Sequence, residues 1–228
     1  MKKVNFDEYS KNYDDIMQNQ HKKFGDIKYY AEYKIKILSD IVKRRNQKLK
    51  ILEYGCGTGR NLPYIVEAFR ESSVFGFDIS KESLEVARQN NKEVKIIETN
   101  EELASYNGYF DVIFIAGVYH HIEPSLRDYV TSNIFKLAAD NCNVAVFEHN
   151  PHNPLTRRMV STCEFDKDAV LLSKKELQSI FFKAGFKDNG SAYTLFFPPV
   201  LKALSFLERF LKWLPLGGQY YIAVKKSV

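Results

Sequence analysis

The chain has 228 residues, an apolar fraction of 45% and a formal net charge of +5, which suits one globular α/β domain with its own core and excludes a disordered chain. The mild basicity comes from scattered lysines such as Lys48, Lys50, Lys225 and Lys226, which read as a solvated surface, so no nucleic-acid partner is expected. No apolar run reaches the roughly 18 residues of a spanning helix, and the segment from Met1 to Asp7 lacks the apolar stretch of a signal peptide. The cysteines, Cys56, Cys142 and Cys163, show no zinc spacing and suit a reducing cytoplasm, where the chain is expected to reside.

In chain order, residues 1–48 read as a polar helical cap segment. Apolar side chains recur there at Ile27, Tyr30, Ala31, Ile35, Leu38 and Ile41, which predicts a helix from about Asp26 to Lys43. From residue 49 the rhythm changes to short apolar runs alternating with helical segments, and residues 49–228 read as an α/β domain that forms one structural unit with the cap. Strands are expected at Leu49–Tyr54, Val74–Asp78, Val94–Ile97, Tyr109–Ala116 and Val144–Phe147. Helices are expected near Arg60–Arg70 and from Ser80, a good N-cap, to Asn90. Strands alternating with helices predict a doubly wound, mainly parallel sheet covered on both faces. Towards the end, a helix over Ser173–Ala184 stops at Gly185, a strand is expected at Tyr193–Phe197, and a helix at about Val200–Leu214. After a turn at Pro215–Gly218, a last strand runs over Gln219–Val224.

Glu53-Tyr54-Gly55-Cys56-Gly57-Thr58-Gly59 lies where the first strand turns into a helix. Alternate glycines let the backbone turn sharply and let a ligand rest on the main chain. Asp78 ends the second strand, where a carboxylate accepts hydrogen bonds from two adjacent ribose hydroxyls. A dinucleotide fingerprint requires Gly-x-Gly-x-x-Gly; here Gly59 comes one position early and Arg60 occupies the expected slot. Glu53 would repel a pyrophosphate but suits a cofactor bearing an ammonium and a sulfonium.

On these residues the chain resembles the class I S-adenosylmethionine-dependent methyltransferases, from about Glu8 to the C-terminus. Phe77-Asp78-Ile79-Ser80 and the stretch from Phe110 through Tyr119-His120-His121-Ile122 add to the likeness. The resemblance implies a Rossmann-like sheet of seven strands with the last one antiparallel. It places Gly55, Cys56, Gly57 and Gly59 around the methionyl part of the cofactor, Glu53 towards its ammonium, Asp78 on its ribose and Ile79 beside its adenine. Ala116, ending the fourth strand, is included in the cofactor set. Many members carry an Asp after the third strand to hold the adenine amino group. This row reads Glu98-Thr99-Asn100, leaving Thr99 or Asn100 as the acceptor. Tyr13, in the segment before the first strand, is expected to cover the sulfonium.

Methyl transfer to a hydroxyl requires alignment, exclusion of water and a route for the proton. His120, His121, His149 and His152 fall just beyond the fourth and fifth strands, the edge where open α/β sheets bind ligands. The base is expected in the order His149, His121, His152, while a loop of Asn, His and Pro that merely ends a strand is the competing reading. One ring of the His120–His121 pair is expected to pack or cap the next helix. Glu148 with these histidines lacks a clean carboxylate pair, so no metal is expected.

Val200, Leu201, Leu204, Leu207, Leu211 and Leu214 form one helical stripe, widened by Phe206, Phe210 and Trp213 and interleaved with Lys202, Arg209 and Lys212. It reads as a lid, a homodimer contact or a membrane-surface helix. The region from Glu148 to Phe165 and the following Ser173–Phe186 also resemble methyltransferases of bacterial cell-surface sugar and secondary-metabolite pathways. That likeness implies a small-molecule acceptor, with O-methylation of a sugar or related hydroxyl. A non-catalytic S-adenosylmethionine-binding regulator and an NAD-dependent oxidoreductase are the alternatives.

Overall fold

A computed structural model describes residues 27–43 and 47–227. The expected first helix forms as α1 (Ile27–Val42), and its Ala31, Ile35, Leu38 and Val42 are buried at helical spacing. Then follow β1 (Lys50–Tyr54), α2 (Leu62–Ala68), β2 (Ser73–Phe77), α3 (Lys81–Asn90), β3 (Lys95–Ile97), α4 (Asn100–Ala104) and β4 (Phe110–Ala116). The second half holds 3-10 turns at Tyr119–His121 and Pro124–Leu126, α5 (Arg127–Leu137), β5 (Ala138–His149), α6 (Pro154–Thr162), α7 (Lys174–Lys183) and β6 (Lys187–Thr194). A 3-10 segment Pro199–Leu207, α8 (Glu208–Leu211) and β7 (Gln219–Lys225) complete it.

The strands form one seven-stranded sheet in the order β3-β2-β1-β4-β5-β7-β6. Pairs from β3 through β5 are parallel, and β7 runs antiparallel to both neighbours. Alternation along the strands divides the core. Ile51, Val74, Val112 and Phe147 pack with α1, α2 and α3 on one face; Leu52, Phe75, Ile113 and Val146 pack with α5 and α7 on the other. The chain reverses its winding between β1 and β4, so their carboxyl ends open the switch-point crevice where such sheets bind ligands.

Local rules account for several boundaries. Ser80 caps α3 by accepting from Ser83 N at 3.1 Å, and Ser173 with Glu176 forms a full capping box on α7. The helix expected over Arg60–Arg70 is shorter, because residues through Asn61 are held in the glycine turn. Two expectations near the end are corrected. The strand placed at Tyr193–Phe197 lies instead at Lys187–Thr194. Leu195 adopts φ 57°, which ends the extended run, and the Phe196 and Phe197 amides turn inward to Glu208 Oε1 at 3.0 and 3.2 Å. The single helix placed at Val200–Leu214 is a 3-10 segment with non-helical φ/ψ at Leu201, followed by the short α8. Its apolar residues have no sheet face to cover: Phe206, Phe210 and Trp213 are exposed, Trp213 by 74%. Finally, the stretch between His152 and Phe165 contains α6, capped by Asn153, where no helix was expected. No helix among the described residues is long and apolar enough to cross a membrane.

Candidate active site

The glycine turn is built from backbone. Gly55 N and Cys56 N donate to Phe77 O at 2.7 and 2.9 Å, tying the end of β1 to the end of β2. Gly55, Gly57 and Gly59 have φ of 78°, 53° and 82°, in the left-handed region that favours glycine. A Cβ on Gly55 would sit 2.3 Å from Val118 Cγ2, and one on Gly59 2.6 Å from Asn91 Nδ2. A Cβ on Gly57 would meet nothing within 4 Å, so the turn is open at its centre. Asp78 spans this opening: its Oδ2 accepts from Gly57 N at 2.8 Å and its Oδ1 from Ser80 N at 2.9 Å. Ile79 beside it is 73% exposed.

Glu53 closes the floor. It is 1% exposed, its Oε1 accepts from Asn61 Nδ2 at 2.6 Å, and its Oε2 is buried with no hydrogen-bond partner among the described residues. Burial pushes its carboxyl up to about 8, against the pull of Asn61 and of the Lys34 and Arg60 charges. Lys34, reaching in from α1, is lowered to about 8 by burial and by Arg60. Sequence patterning alone did not single it out, because a lysine on an amphipathic helix reads as solvated.

The fourth strand carries the second half of the site. Beyond Ala116, Gly117 turns the chain at φ 71°, and Val118 packs on Gly55. Glu148, 1% exposed near the end of β5, accepts from Val118 N and Tyr119 N at 2.9 and 2.7 Å through Oε1. Its Oε2 lies 2.6 Å from His120 Nδ1. On the other side of the ring, His120 Nε2 is 3.5 Å from Asp166 Oδ1, which also lies 3.4 Å from His121 Nε2. The His149 ring is centred 5.1 Å from that of His120, and its buried Nδ1 has no hydrogen-bond partner among the described residues.

Burial opposes charge on His120, yet Glu148 and Asp166 raise it to about 10 and hold it as an imidazolium. Burial also opposes the Asp166 carboxylate, but the bond and charge of His120 bring it to about 2. Burial and then the positive His120 lower His121 and His149 to about 4, so both are neutral near pH 7. The loop carrying Asp166 is pinned to the histidine turn: Val170 N donates to His120 O at 2.8 Å, and the buried Arg127 donates to Ile122 O at 3.1 Å and to Val170 O at 2.6 Å.

The structure brings together His120, His121, His149 and Glu148, all named from the sequence, and adds Asp166. Of the pair, both rings belong to the cluster and neither caps a helix. His152 is separate and exposed; its loop instead clasps the turn before β7, with Asn150 Nδ2 donating to Pro215 O and Gly217 O at 3.1 and 2.8 Å. Thr99 Oγ1 accepts from Glu102 N at 3.1 Å as the cap of α4, and Asn100 is the first residue of that helix. Tyr13 lies outside the described residues. Asp166 carried no sequence signal, since it follows a helix that was itself unexpected.

Residues 51–141 match a family model described as a methyltransferase domain. An uncharacterized protein of Rickettsia prowazekii is 25% identical over 197 residues, covering 78% of this chain and 78% of that one. A SAM-dependent methyltransferase from Archaeoglobus fulgidus has a TM-score of 0.69 at 16% identity, covering 90% of this chain and 97% of that one. Geranyl diphosphate C-methyltransferase from Streptomyces coelicolor A3(2), solved with Mg2+, geranyl diphosphate and S-adenosyl-L-homocysteine, has a TM-score of 0.62 at 13% identity, covering 85% and 78%. Residues 51–141 are thus a methyltransferase domain, and the whole chain shares the fold of S-adenosylmethionine-dependent methyltransferases. It is a methyltransferase enzyme, and its cofactor is S-adenosylmethionine.

The residues fit that cofactor. The unpartnered Glu53 Oε2 suits an ammonium, the opening at Gly57 admits a ligand against the main chain, and Asp78 is placed for ribose hydroxyls.

Proposed function

We propose that the enzyme methylates a hydroxyl of a small metabolite, a sugar or a related alcohol, with His149 receiving the hydroxyl proton. The observation that carries this reading is the buried His149 Nδ1 without a hydrogen-bond partner, beside His120 at the edge where Val118 joins the cluster to the glycine turn. The cofactor supplies an electrophilic methyl group. Glu53, Gly57 and Asp78 hold it, with Ile79 flanking its adenine. Glu148 positions the turn from Val118 to His120 through its three bonds. A hydroxyl oxygen that gains a methyl group becomes a strongly acidic oxonium, so a neutral imidazole of low basicity suffices to take its proton and pass it to water. His121 is the second candidate for that role.

Three buried cysteines, none of them in a disulfide, support a cytoplasmic location. The exposed patch of Leu201, Phe206, Phe210 and Trp213 lies at the same carboxyl edge, because the turn that follows it is clasped by Asn150 next to His149. Lys202, Arg209 and Lys212 line an adjoining groove of about 910 Å³ against α1, whose wall holds six cations and three acids. Apolar side chains with a cationic rim suit an anionic membrane surface, so the acceptor is one that is presented at a lipid headgroup layer.

The test is release of S-adenosylhomocysteine by the full chain over a panel of sugar, amine and carbon acceptors, with the methylated atom identified by NMR. Turnover of hydroxyl acceptors is expected to fall about 10²–10⁴-fold in His149→Ala, with S-adenosylhomocysteine affinity retained. Methylation at nitrogen or carbon overturns the hydroxyl assignment, and unchanged turnover in the variant overturns the base.

A further inference from the structure

Three side chains of the histidine cluster bring potential ligand atoms close together. His120 Nε2 and His121 Nε2 approach the same oxygen, Asp166 Oδ1, at 3.5 and 3.4 Å, and donor atoms of the three side chains lie within 4.8 Å of one another. Well-made N–H···O bonds measure about 2.7–3.2 Å, so these separations are long for hydrogen bonds. These two separations are close to the edge of a coordination tetrahedron, since metal–ligand bonds of about 2.0–2.1 Å put ligand atoms roughly 3.3–3.4 Å apart.

The surroundings fit the same geometry. Glu148 Oε2 holds the far nitrogen of the His120 ring at 2.6 Å. A carboxylate at that nitrogen fixes the ring and directs the other nitrogen at an ion, as in carboxylate–histidine–metal triads. Two carboxylates, Glu148 and Asp166, approach the one His120 ring from opposite sides, so the site carries negative charge that suits a cation. The Arg127 and Val170 bonds keep the Asp166 loop in register with His120, which preorganises the ligands.

We propose that His120 Nε2, His121 Nε2 and Asp166 Oδ1 form a binding site for one divalent transition-metal ion of the zinc type. Two imidazoles and one carboxylate favour Zn2+, Co2+ or Fe2+ over Ca2+ and Mg2+, which prefer all-oxygen sets. Three protein ligands leave a coordination position open, as in catalytic zinc sites. On binding, the ion displaces the proton between His120 Nε2 and Asp166, that proton passes to solvent, and no oxidation or reduction is involved. Its consequence for chemistry rests on the hydroxyl reading above: the open position takes the acceptor oxygen and makes its proton more acidic, while His149 receives it. Ion binding itself does not depend on that reading.

The test uses the tag-free full chain after chelator treatment, titrated with Zn2+ by calorimetry and with Co2+ by visible absorption. One ion per chain is expected, with Co2+ bands of a nitrogen–oxygen set. Asp166→Asn and His121→Ala are each expected to weaken binding at least about 10²-fold, while circular dichroism shows both variants folded and S-adenosylhomocysteine affinity stays close to that of the parent chain. Absence of stoichiometric binding, or binding that survives both substitutions, overturns the site. Ion binding without any methylated hydroxyl would instead leave the site standing and remove the hydroxyl assignment.

Discussion

Glu53 and Glu148 are the same residue type, each 1% exposed, near the carboxyl ends of β1 and β5 with β4 between them, yet they differ in state. Glu148 has both oxygens occupied, by two backbone amides and the His120 ring. Burial would raise its carboxyl, but the His120 charge and bond hold it below the usual range. Glu53 has one oxygen on Asn61 and one buried without a partner among the described residues, and burial raises it to about 8. The difference teaches that burial alone does not set a carboxylate's role; the partners do. Glu148 is already satisfied and positions other groups, whereas Glu53 keeps one buried oxygen without a partner among the described residues, which suits an ammonium.

Substitutions can break this contrast. Glu148→Gln is expected to have the largest effect, because removing one member of a buried, hydrogen-bonded ion pair costs about 3–5 kcal/mol. Urea unfolding followed by circular dichroism measures it, and a loss under about 1 kcal/mol would show that the pair is not charged in the fold. Asp78→Ala acts on binding: losing hydrogen bonds to a charged acceptor, worth about 1.5–3 kcal/mol, weakens S-adenosylhomocysteine about 10- to 100-fold by calorimetry. An unchanged affinity would move the ribose contact elsewhere.

Glu53→Gln sharpens the comparison most directly. Cofactor-product affinity is expected to fall about tenfold, yet the unliganded fold should not lose stability. The folded carboxyl titrates near 8 against an ordinary value of 4.5, so the native state keeps its proton to higher pH than the unfolded chain. Its contribution to stability therefore declines as pH rises from about 4.5 to about 8 and is level above that. Glu53→Gln lacks this slope, and melts at about pH 5 and about pH 8 should show the variant gaining on the parent chain at the higher pH. A parent–variant difference that stays the same at both pH values would mean the carboxylate is ionised in the unliganded fold. The smallest effect on stability, within about 0.5 kcal/mol, is expected from the exposed pair Phe210→Ala and Trp213→Ala. The same double variant should lose co-sedimentation with phosphatidylglycerol vesicles; if the parent chain ignores vesicles and light scattering gives a dimer, the patch joins two copies instead.

The glycine turn was legible because its geometry is local. Glu53, Gly55, Gly57 and Gly59 lie in one strand-to-helix turn, left-handed φ demands glycine there, and Asp78 ends the strand that pairs with it. The helix from Ile27, the cap at Ser80, the box at Ser173 and the reversed last strand were legible for the same reason, since periodicity and capping act within a few residues. The histidine half was only partly legible. His121 and His149 could be placed at the correct edge, but the His120 charge that, after burial, keeps them neutral depends on Glu148 at the end of β5 and on Asp166 in a loop after α6.

By itself the sequence determined a doubly wound sheet, its switch-point crevice and a cofactor turn with an acid at its floor. Only the tertiary structure decided which imidazole carries charge, that His152 stands apart, and that the apolar stretch after Pro199 faces outward. Backbone conformation and amphipathic spacing are set by near neighbours along the chain. Burial and charge pairing are set by groups that meet only when distant segments pack, and those two terms decide the protonation of the cluster.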